Sequence, residues 1–426
     1  MQKYLPGENM ELARTRYLNE LIQRKHNGSI KIVTGIRRCG KSYLLFNLFC
    51  RHLLESGISE DHIIRIELDN PEFKECRDPE ILYARLKESV RDTKMHYILL
   101  DEIQLVPGFE EVLTGLLYLK NVDIYVTGSN SKFLSKDVVT GFRGRGDEVH
   151  LYPAGFAEFL DVYQGNRYDA WTDYITYGGL PGVILRETHA QKVKYLTDLF
   201  KETYLIDIIE RNHIKNDAEL GILIDILSSA VGSLTNPNRI RNTFQSVGKS
   251  KITATTIASY LTCLEDAFLI TPAHRYDIRG RNYIGSPLKY YFEDVGLRNA
   301  RLNFRQQEEN YLMENVIFNE LRMRGYSVDV GVVERSEKGR DGKYQRKYLE
   351  IDFVANQGNK RYYIQSAMEM ASAEKIRQEK KSLQNVGDNF KKIIVVRDII
   401  KPKCDEEGIL TMSVYDFLEH TESLDW

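Results

Sequence analysis

Residues 30–48 read IKIVTGIRRCGKSYLLFNL, and this segment predicts the architecture of the first part of the chain. Its centre, GIRRCGKS at residues 35–42, fits the phosphate-binding pattern G-x-x-x-x-G-K-[ST] at every fixed position. The run SIKIVTG, rich in Ile and Val, comes before the pattern, and apolar residues with helical spacing follow it. A strand, a glycine-containing loop and a helix in this order predict a nucleotide-binding loop rather than a chance match.

The residues of this loop have distinct expected roles. Backbone N–H groups of the loop and of the helix N-terminus are expected to face the phosphates. We expect Lys41 to reach the outer phosphates of ATP and the Ser42 hydroxyl to bind Mg²⁺. The predicted nucleotide-binding residues are Gly35, Ile36, Arg37, Arg38, Cys39, Gly40, Lys41, Ser42 and Tyr43.

An acidic pair follows a later apolar strand. The segment MHYILLDEIQ places Asp101 and Glu102 directly after four apolar residues. Buried parallel strands deliver the residues at their carboxyl ends to the ligand crevice. We therefore expect Asp101 to hold Mg²⁺ through water and Glu102 to polarise the attacking water. A solvated turn is the alternative, and behind a phosphate-binding loop it is the weaker one.

Two further segments add candidate catalytic residues. The strand NVDIYVTGSNS ends in small polar residues, and Asn130 is predicted to orient water or contact the terminal phosphate, unless this is a simple polar turn. The segment TGFRGRGDEVHLYP offers Arg143 and Arg145 before a fifth strand. An arginine near the outer phosphate stabilises charge that develops in the transition state. Arginines in glycine-rich loops are also commonly just solvated.

Seven segments spread over the chain share one larger pattern. They are TGIRRCGKS, LLDEIQ, TGSNS, GFRGRGDEVHLYPAGFAEFL, YGGLPGV, KYYFEDVGLRNA and LEIDFVA. Together they resemble prokaryotic, archaeal-type AAA P-loop ATPases that carry a C-terminal domain of uncharacterised function. The resemblance implies an α/β fold with an AAA-type P-loop core. Cys39 departs from the family pattern, because many relatives have a small residue there.

The same segments predict five parts of the chain. An N-terminal helical segment (1–28) precedes the P-loop ATPase core (29–160), and a helical lid (161–216) follows. Residues 217–302 are predicted to be a winged-helix-like domain, because helical stretches are followed by an alternating hairpin with a glycine-containing tip. Residues 303–426 resemble the restriction-endonuclease-like α/β fold.

Charge around the predicted wing bears on DNA binding. From residue 231 to residue 300, nine Lys or Arg stand against five Asp or Glu, an excess of four. Arg275, Arg279 and Arg281 lie on the predicted wing, with Tyr276 and Tyr283 interleaved. Each phosphate contact needs a neutralising cation, so this excess supports modest nonspecific DNA binding. An adaptor between domains, with solvated charges, is an equally open interpretation.

The last part keeps only some residues of a nuclease. In the restriction-endonuclease-like fold, a helix acid, a strand Asp and a (Glu/Gln)-x-Lys pair assemble a magnesium site. The residues that match these positions form a degenerate nuclease site and are Glu314, Asp352 and Gln365. Ala367 stands where the lysine belongs, and a lysine of the next helix, Lys375 or Lys380, is the alternative amine. Because a methyl group neither donates a hydrogen bond nor carries charge, we expect no nuclease activity.

Composition limits the class of protein. The 426 residues are 42% hydrophobic and 28% charged with a net charge of -2, which is typical of a globular chain of two to four domains. This net charge argues against a uniformly basic coat for nucleic acid. Five scattered cysteines predict reduced thiols. Without a signal-peptide pattern or an apolar run near ~18 residues, a cytoplasmic protein with no membrane partner is expected.

These patterns predict an ATP- and Mg²⁺-dependent ATPase that acts as a conformational switch or regulator on a protein or nucleic-acid partner. Two alternatives remain open. One is a DNA-binding ATPase of mobile-element or repair type, and the other is a nucleotide-binding scaffold that does not hydrolyse ATP.

Overall fold

The structure is a computed structural model, and it describes residues 11–128, 142, 144–248, 251–338, 344–370 and 372–426. Two units are separable by their internal contacts. The first unit contains Met1–Ala154, Leu180–Leu185 and Asp266–Phe268, and the second unit contains Gly155–Gly179, Arg186–Glu265 and Leu269–Trp426. Each unit has its own sheet.

A five-stranded parallel sheet forms the centre of the first unit. Its strands are β1 (Ile30–Thr34), β2 (Ile63–Glu67), β3 (His96–Asp101), β4 (Val122–Thr127) and β5 (Gly146–His150). The spatial order is β2-β3-β4-β1-β5. Strands β1 and β3 are buried at every position, as expected for parallel strands that are covered on both faces. The strands predicted in SIKIVTG, MHYILLDEIQ, NVDIYVTGSNS and DEVHLYP are confirmed as β1, β3, β4 and β5.

Helices cover this sheet. They are α1 (Thr15–Gln23), α2 (Lys41–Tyr43), a π-helical stretch (Leu44–Phe49), α3 (Cys50–Glu55), α4 (Pro79–Ser89), α5 (Phe109–Leu116), short 3-10 turns (Glu60–His62, Pro71–Arg77, Ile103–Leu105) and a short helix (Pro181–Ile184). The segment Lys41–Glu55 is helical throughout, as its apolar spacing predicts. Apolar residues of α4 and α5, such as Leu82 and Leu113, are fully buried in one cluster with Ile98 and Val126 of the sheet.

The second unit begins with helices and ends with a mixed α/β arrangement. Its helices are α6 (Phe156–Val162), α7 (Arg167–Tyr177), α8 (His189–Asp198), a π-helical stretch (Leu199–Leu205), α9 (Ile206–Arg211), α10 (Asp217–Ser229), α11 (Pro237–Gly248), α12 (Ala254–Asp266), α13 (Val295–Arg301), α14 (Glu309–Met323), α15 (Ala373–Gln384), α16 (Val414–Glu419) and a 3-10 turn (Ser423–Asp425). Within the described residues, no helix is both long and apolar enough to cross a membrane.

An eight-stranded mixed sheet forms the rest of the second unit. Its strands are β6 (Ile270–Asp277), β7 (Asn282–Phe292), β8 (Ser327–Lys338), β9 (Tyr344–Gln357), β10 (Lys360–Ala367), β11 (Lys391–Val396), β12 (Lys403–Cys404) and β13 (Ile409–Ser413). Their spatial order is β12-β13-β11-β10-β9-β8-β6-β7. The sheet therefore ends on one side with the hairpin β6–β7.

This hairpin is where the structure departs from the predicted division of the chain. The hairpin itself is confirmed, with Ile270 opposite Phe292 and Asp277 opposite Asn282. However, β6 also pairs in parallel with β8, and Arg275 lies beside Val330. The predicted wing thus extends the sheet of the C-terminal part, and the sheet runs across the predicted boundary at residue 302. Sequence could not show this pairing, because it joins strands separated by two helices.

Candidate functional site

The phosphate-binding pattern forms the turn between β1 and α2. Gly35 has φ +135°, and a Cβ at this position would lie 2.1 Å from the carbonyl oxygen of Leu151. Gly40 has φ +103° and immediately precedes α2. Arg38 also takes a positive φ of 64°, which is unusual for a residue with a side chain and recurs at functional loops. Backbone geometry therefore requires both glycines of the pattern.

The other loop residues divide into a buried and an exposed set. Ile36 and Cys39 are fully buried, Arg37 is half-buried, and Arg38 and Tyr43 are exposed. The Tyr43 hydroxyl donates to Glu11 Oε1 at 2.6 Å. Because the Cys39 thiol is buried, this departure from the family pattern is accommodated by packing behind the loop.

Lys41 and Ser42 lie where the pattern predicts. The Lys41 side chain is buried, and its Nζ donates to the carbonyl oxygens of Gly35 at 2.9 Å and Ile36 at 3.1 Å. The ammonium therefore lies against the loop backbone. The Ser42 side chain forms a hydrogen bond with the carboxyl group of Asp101.

Asp101 is the buried last residue of β3. Thr127, the last residue of β4, donates its hydroxyl to Asp101 Oδ1. Burial raises the pKa of Asp101, and the hydrogen bonds from Thr127 and Ser42 partly oppose this rise. A cation would offset the same burial, and carboxylate and hydroxyl oxygens are the ligands that Mg²⁺ prefers. The structure thus brings together the two predicted metal ligands, and their chemistry fits Mg²⁺.

Glu102 follows Asp101 in a left-handed conformation with φ 51°. Its N–H donates to Thr127 Oγ1 at 3.0 Å, and its carboxylate accepts a hydrogen bond from the Gln104 amide. A non-glycine residue in this conformation costs about 1–2 kcal/mol, and such residues cluster at active sites. Thr127 therefore fixes both members of the acidic pair.

Arg14 was not predicted as a functional residue. Its guanidinium is 3% exposed, and Nη2 donates to the carbonyl oxygens of Cys39 at 2.9 Å and Tyr152 at 2.5 Å. Arg14, which directly precedes α1, thus connects the start of this helix to the phosphate-binding loop. A lone arginine before a helix has no sequence pattern that marks it as functional. Thr127 has one, because it is the polar residue that ends the apolar strand β4.

Of the remaining predicted catalytic residues, Arg145 alone lies within the described part of the chain. Asn130 and Arg143 lie outside the described residues. Arg145 is exposed, and its carbonyl oxygen accepts from the N–H of Ile30, the first residue of β1. The phosphate-binding loop follows the other end of β1, about 16 Å away at ~3.3 Å per residue. The structure therefore does not place Arg145 at the phosphate loop of its own chain.

The start of the YGGLPGV segment, up to Gly179, meets the EDVGLRNA segment in one turn of the second unit. Gly178 has φ +74°, and a Cβ there would lie 2.3 Å from Asp294 Oδ1. The N–H of Gly179 donates to Asp294 Oδ2 at 2.9 Å. The Asn299 amide donates to the carbonyl oxygen of Ile175 at 2.8 Å, at the end of α7. Burial raises the pKa of Asp294 to about 6.

A buried charge cluster occupies the predicted nuclease-like region. Lys289 on β7 is 3% exposed. Its Nζ lies 2.8 Å from Glu314 Oε1, 2.9 Å from Glu350 Oε1 and 3.6 Å from Asp352 Oδ1. The Tyr291 hydroxyl also donates to Glu314 Oε1, at 2.6 Å. We call Lys289, Glu314, Glu350 and Asp352 the lysine cluster.

The lysine cluster is held together by charge. Burial and the neighbouring Glu314 together raise the pKa of Asp352 to about 7, although Lys289 opposes this rise. Burial alone would lower the pKa of Lys289, but Glu314, Asp352 and Glu350 raise it above its ordinary value. Gln365 instead lies with its Oε1 3.5 Å from the Ser382 hydroxyl of α15. Sequence analysis missed Lys289, because the hairpin that carries it was assigned to another domain.

Two of the three predicted wing arginines line a cavity. Arg279 and Arg281 lie there with Arg361, around a volume of about 580 Å³. The Arg361 guanidinium lies 5.6 Å from the ring centre of Tyr276 and 5.2 Å from that of Phe390. The residues recorded as lining the cavity do not include Arg275, the third predicted arginine.

Comparison with known proteins places these features in a family. Residues 27–160 match the AAA domain model, and residues 168–308 match a domain of unknown function (DUF8612). An uncharacterized protein of Haemophilus influenzae is 33% identical over 413 residues, which cover 96% of this chain and 98% of that protein. The chain belongs to the same family. Its AAA domain contains the whole site from Gly35 to Thr127.

More distant similarities extend across the chain of this AAA-type P-loop protein. An uncharacterized protein of Methanocaldococcus jannaschii is 28% identical over 391 residues, covering 88% of this chain and 82% of that protein. Among solved structures, the Aeropyrum pernix ORC1 protein in complex with DNA is 14% identical with a TM-score of 0.34. That match covers 68% of this chain and 91% of the ORC1 chain.

Proposed function

We propose that the chain binds ATP with Mg²⁺ at the phosphate-binding loop and hydrolyses it. The observation that carries this proposal is the convergence of Lys41, Ser42, Asp101 and Glu102 at the carboxyl ends of the parallel strands. The match of residues 27–160 to the AAA domain model supports the same activity.

Each residue has one task in this mechanism. Lys41 exchanges its bonds to two loop carbonyl oxygens for bonds to phosphate oxygens. Ser42, and Asp101 through water, would hold Mg²⁺, which would supply positive charge beside the phosphates. Glu102 orients and polarises the attacking water, and Thr127 holds the backbone of Glu102 in place before the substrate arrives. Such groups act mainly by positioning and electrostatics.

Two variants test these assignments in measurements of ATP binding and steady-state hydrolysis. Lys41→Ala is expected to lose ATP binding. Glu102→Gln is expected to retain binding and to lose turnover by about 10²-fold or more. A Glu102→Gln variant that hydrolyses ATP at the wild-type rate would remove Glu102 from the mechanism. Tight ATP binding by the wild type without turnover would instead support a non-hydrolysing scaffold.

We further propose that the nucleotide state changes the conformation of the second unit, as in a switch acting on a partner. Pro181 lies close to Gly40, since a Cβ atom added to Gly40 would be 3.8 Å from Pro181 Cγ. Both residues belong to the first unit. Gly178 and Gly179, which precede Pro181 by two and three residues, are held by Asp294 in the second unit. The chain therefore offers a short covalent route from the loop to the second unit.

The arginine cavity favours nucleic acid as one candidate partner. Three guanidinium groups, with Asp388 as the acidic residue beside them, suit contacts with the phosphates of a nucleic-acid backbone. The test is ATP hydrolysis with and without double-stranded DNA, for wild type, Arg279→Ala/Arg281→Ala and the exposed control Arg346→Ala. Stimulation that falls with salt and is lost in the double variant alone would support DNA binding. Turnover indifferent to DNA would favour a protein partner.

We also propose that residues 217–302 are winged-helix-like, with a wing (β6–β7) that also forms the edge of the C-terminal sheet, and that residues 303–426 are restriction-endonuclease-like without nuclease activity. Support comes from the order of Glu314 on α14, Asp352 on β9 and Gln365 on β10. The Lys289 ammonium lies beside the Glu314 and Asp352 carboxylates that a magnesium ion would need and offsets part of their charge. Incubation of the chain with plasmid DNA and Mg²⁺ or Mn²⁺ is expected to leave the DNA intact. Cleavage that disappears in Asp352→Asn would contradict this proposal.

A further inference from the structure

Two histidines lie side by side at the amino ends of neighbouring strands in the first unit. Ile63 of β2 pairs with Tyr97 of β3, so His62 and His96 occupy adjacent positions just before that pair. Their ring centres are 4.6 Å apart. Asp92, in the loop between α4 and β3, has its two carboxylate oxygens 3.2 Å and 3.1 Å from His62 Nε2.

Hydrogen bonds fix which atom His96 presents to this cluster. His96 Nδ1 lies 2.8 Å from the carbonyl oxygen of Lys94. A carbonyl only accepts, so Nδ1 carries the hydrogen and Nε2 carries the lone pair. His96 Nε2 accepts from the Arg91 N–H at 3.4 Å, which is a long hydrogen bond. Histidines that bind metals are commonly oriented by a bond from the other ring nitrogen to a backbone carbonyl.

The loop that carries Asp92 is also held in place. The N–H of Lys94 donates to Asp92 Oδ1 at 2.8 Å. The Asn121 amide donates to the carbonyl oxygens of Asp92 at 2.8 Å and Lys94 at 3.2 Å. The carboxylate is therefore positioned by backbone contacts as well as by His62, as expected of a prepared site.

The three groups are close enough together for one small metal ion to contact them after small side-chain movements. One ligand atom from each of His62, Asp92 and His96 lies within 4.8 Å of the others. Two ligands bound at about 2.05 Å to a tetrahedral zinc ion lie about 3.3 Å apart. The distance from His62 Nε2 to Asp92 Oδ2 is 3.1 Å, close to that separation.

We propose that His62, Asp92 and His96 form a binding site for a divalent transition-metal ion, with zinc as the ion that fits best. Two imidazole nitrogens and one carboxylate form a donor set that suits zinc and its neighbours rather than Mg²⁺. Three protein ligands leave the fourth position to water. The competing interpretation is a simple ion pair between His62 and Asp92.

The place of the site in the fold indicates its role. His96 and Asp101 are the first and last residues of β3, so about 16 Å of strand separates this site from the magnesium ligands. A metal there would fasten the start of β2 to the α4–β3 loop. We therefore assign it to the stability of the first unit and not to ATP chemistry.

The test uses the full-length chain without an affinity tag, stripped by chelator and titrated with Zn²⁺ by calorimetry and with Co²⁺ by absorption. Wild type is expected to bind one ion, and zinc is expected to raise its Tm. Either His62→Gln or His96→Gln should weaken binding about 100-fold, and Asp92→Asn about 10-fold, with the Tm rise lost. His52→Gln, another half-buried histidine of the first unit, is the matched control and should bind as wild type does.

Three results would overturn the proposal. The first is a wild type that binds no zinc, which would leave His62 and Asp92 as an ion pair. The second is zinc binding of unchanged affinity in His62→Gln. The third is a Co²⁺ spectrum with strong thiolate charge-transfer bands, which would assign the ion to cysteines. If His96→Gln fails to fold by circular dichroism, the more accessible His62→Gln decides the question.

Discussion

At the scale of single residues, Gly178 shows that the absence of a side chain allows the turn to pack closely against Asp294. Any Cβ at Gly178 would lie 2.3–2.5 Å from the carboxyl group of Asp294, which itself is fully enclosed. We expect Gly178→Ala to lower the free energy of unfolding of the second unit by on the order of 3 kcal/mol or more, because strain and a steric clash add. Chemical denaturation followed by circular dichroism measures this.

The matched control for this prediction is Gly408→Ala. Gly408 has nearly the same φ, +75°, but a Cβ there would meet nothing within 4 Å. It should therefore show only the cost of a left-handed alanine, about 1 kcal/mol. Equal losses in the two variants would mean that the clash with Asp294 is relieved by movement of the turn.

Asp294 gives a pH dependence with a defined sign. Burial raises its pKa from 3.8 to about 6 in the folded chain, so the folded state holds the proton more tightly than the unfolded state. Its contribution to stability is therefore largest below pH ~4 and is lost as pH rises through about 6, by up to ~3 kcal/mol. Unfolding measured from pH 4 to 8 should show this loss in wild type and not in Asp294→Asn. Parallel curves for the two proteins would contradict it.

Residue-scale prediction from sequence is most informative where a spacing encodes chemistry. Gly35, Lys41 and Ser42 are fixed by one pattern, and the structure places them together in the loop. Arg14 supports the same loop but was invisible, because its partners are backbone carbonyl oxygens, which any sequence supplies. Arg145 lies at the other end of β1 from the loop of its own chain, because nearness in sequence to a strand does not tell which end of the sheet a residue occupies.

At the scale of secondary-structure elements, the hairpin β6–β7 contributes Lys289 to carboxylates from α14 and β9. Removing one partner of a buried charge group leaves the others uncompensated, which typically costs 3–5 kcal/mol. We predict a loss of about this size in Lys289→Met, measured by urea unfolding. Adding Glu314→Gln in that background should restore part of the loss, because it removes one unpaired charge.

Lys360→Met is the control for this effect. Lys360 pairs with Asp425 at 2.8 Å, but both side chains are about half exposed. Exposed pairs contribute little, so this variant should unfold close to wild type. A Lys289→Met variant as stable as Lys360→Met would show that the cluster adapts by taking up protons.

Prediction from sequence identified the strands themselves but missed the pairing of β6 with β8. The five strands of the first sheet and both strands of the hairpin carry local apolar patterns that a sequence displays. The pairing of β6 with β8 depends on residues more than fifty positions apart, such as Arg275 beside Val330. No local pattern encodes such a contact, so the hairpin was assigned to a separate wing.

At the scale of the whole molecule, the first unit is discontinuous in sequence. Besides residues up to Ala154 it includes Leu180–Leu185 and Asp266–Phe268. Pro181 lies against Gly40 of the phosphate-binding loop, and the ring of Phe268 lies 4.7 Å from that of His150 on β5. The AAA domain model ends at residue 160 and so omits both returning segments.

This discontinuity predicts that a fragment of residues 1–160 is not equivalent to the AAA domain in the full chain. The fragment lacks the packing of Pro181 and Phe268, so its Tm should be lower and its ATP affinity at least ~10-fold weaker than those of the full chain. Full-length Phe268→Ala removes one returning contact and should fall between the two, whereas Lys41→Ala defines the absence of binding. Thermal unfolding and ATP titration on the four proteins measure this. A fragment that binds ATP as tightly as the full chain would show that the loop, β3 and β4 suffice for nucleotide binding, and that the returning segments serve only to transmit its state.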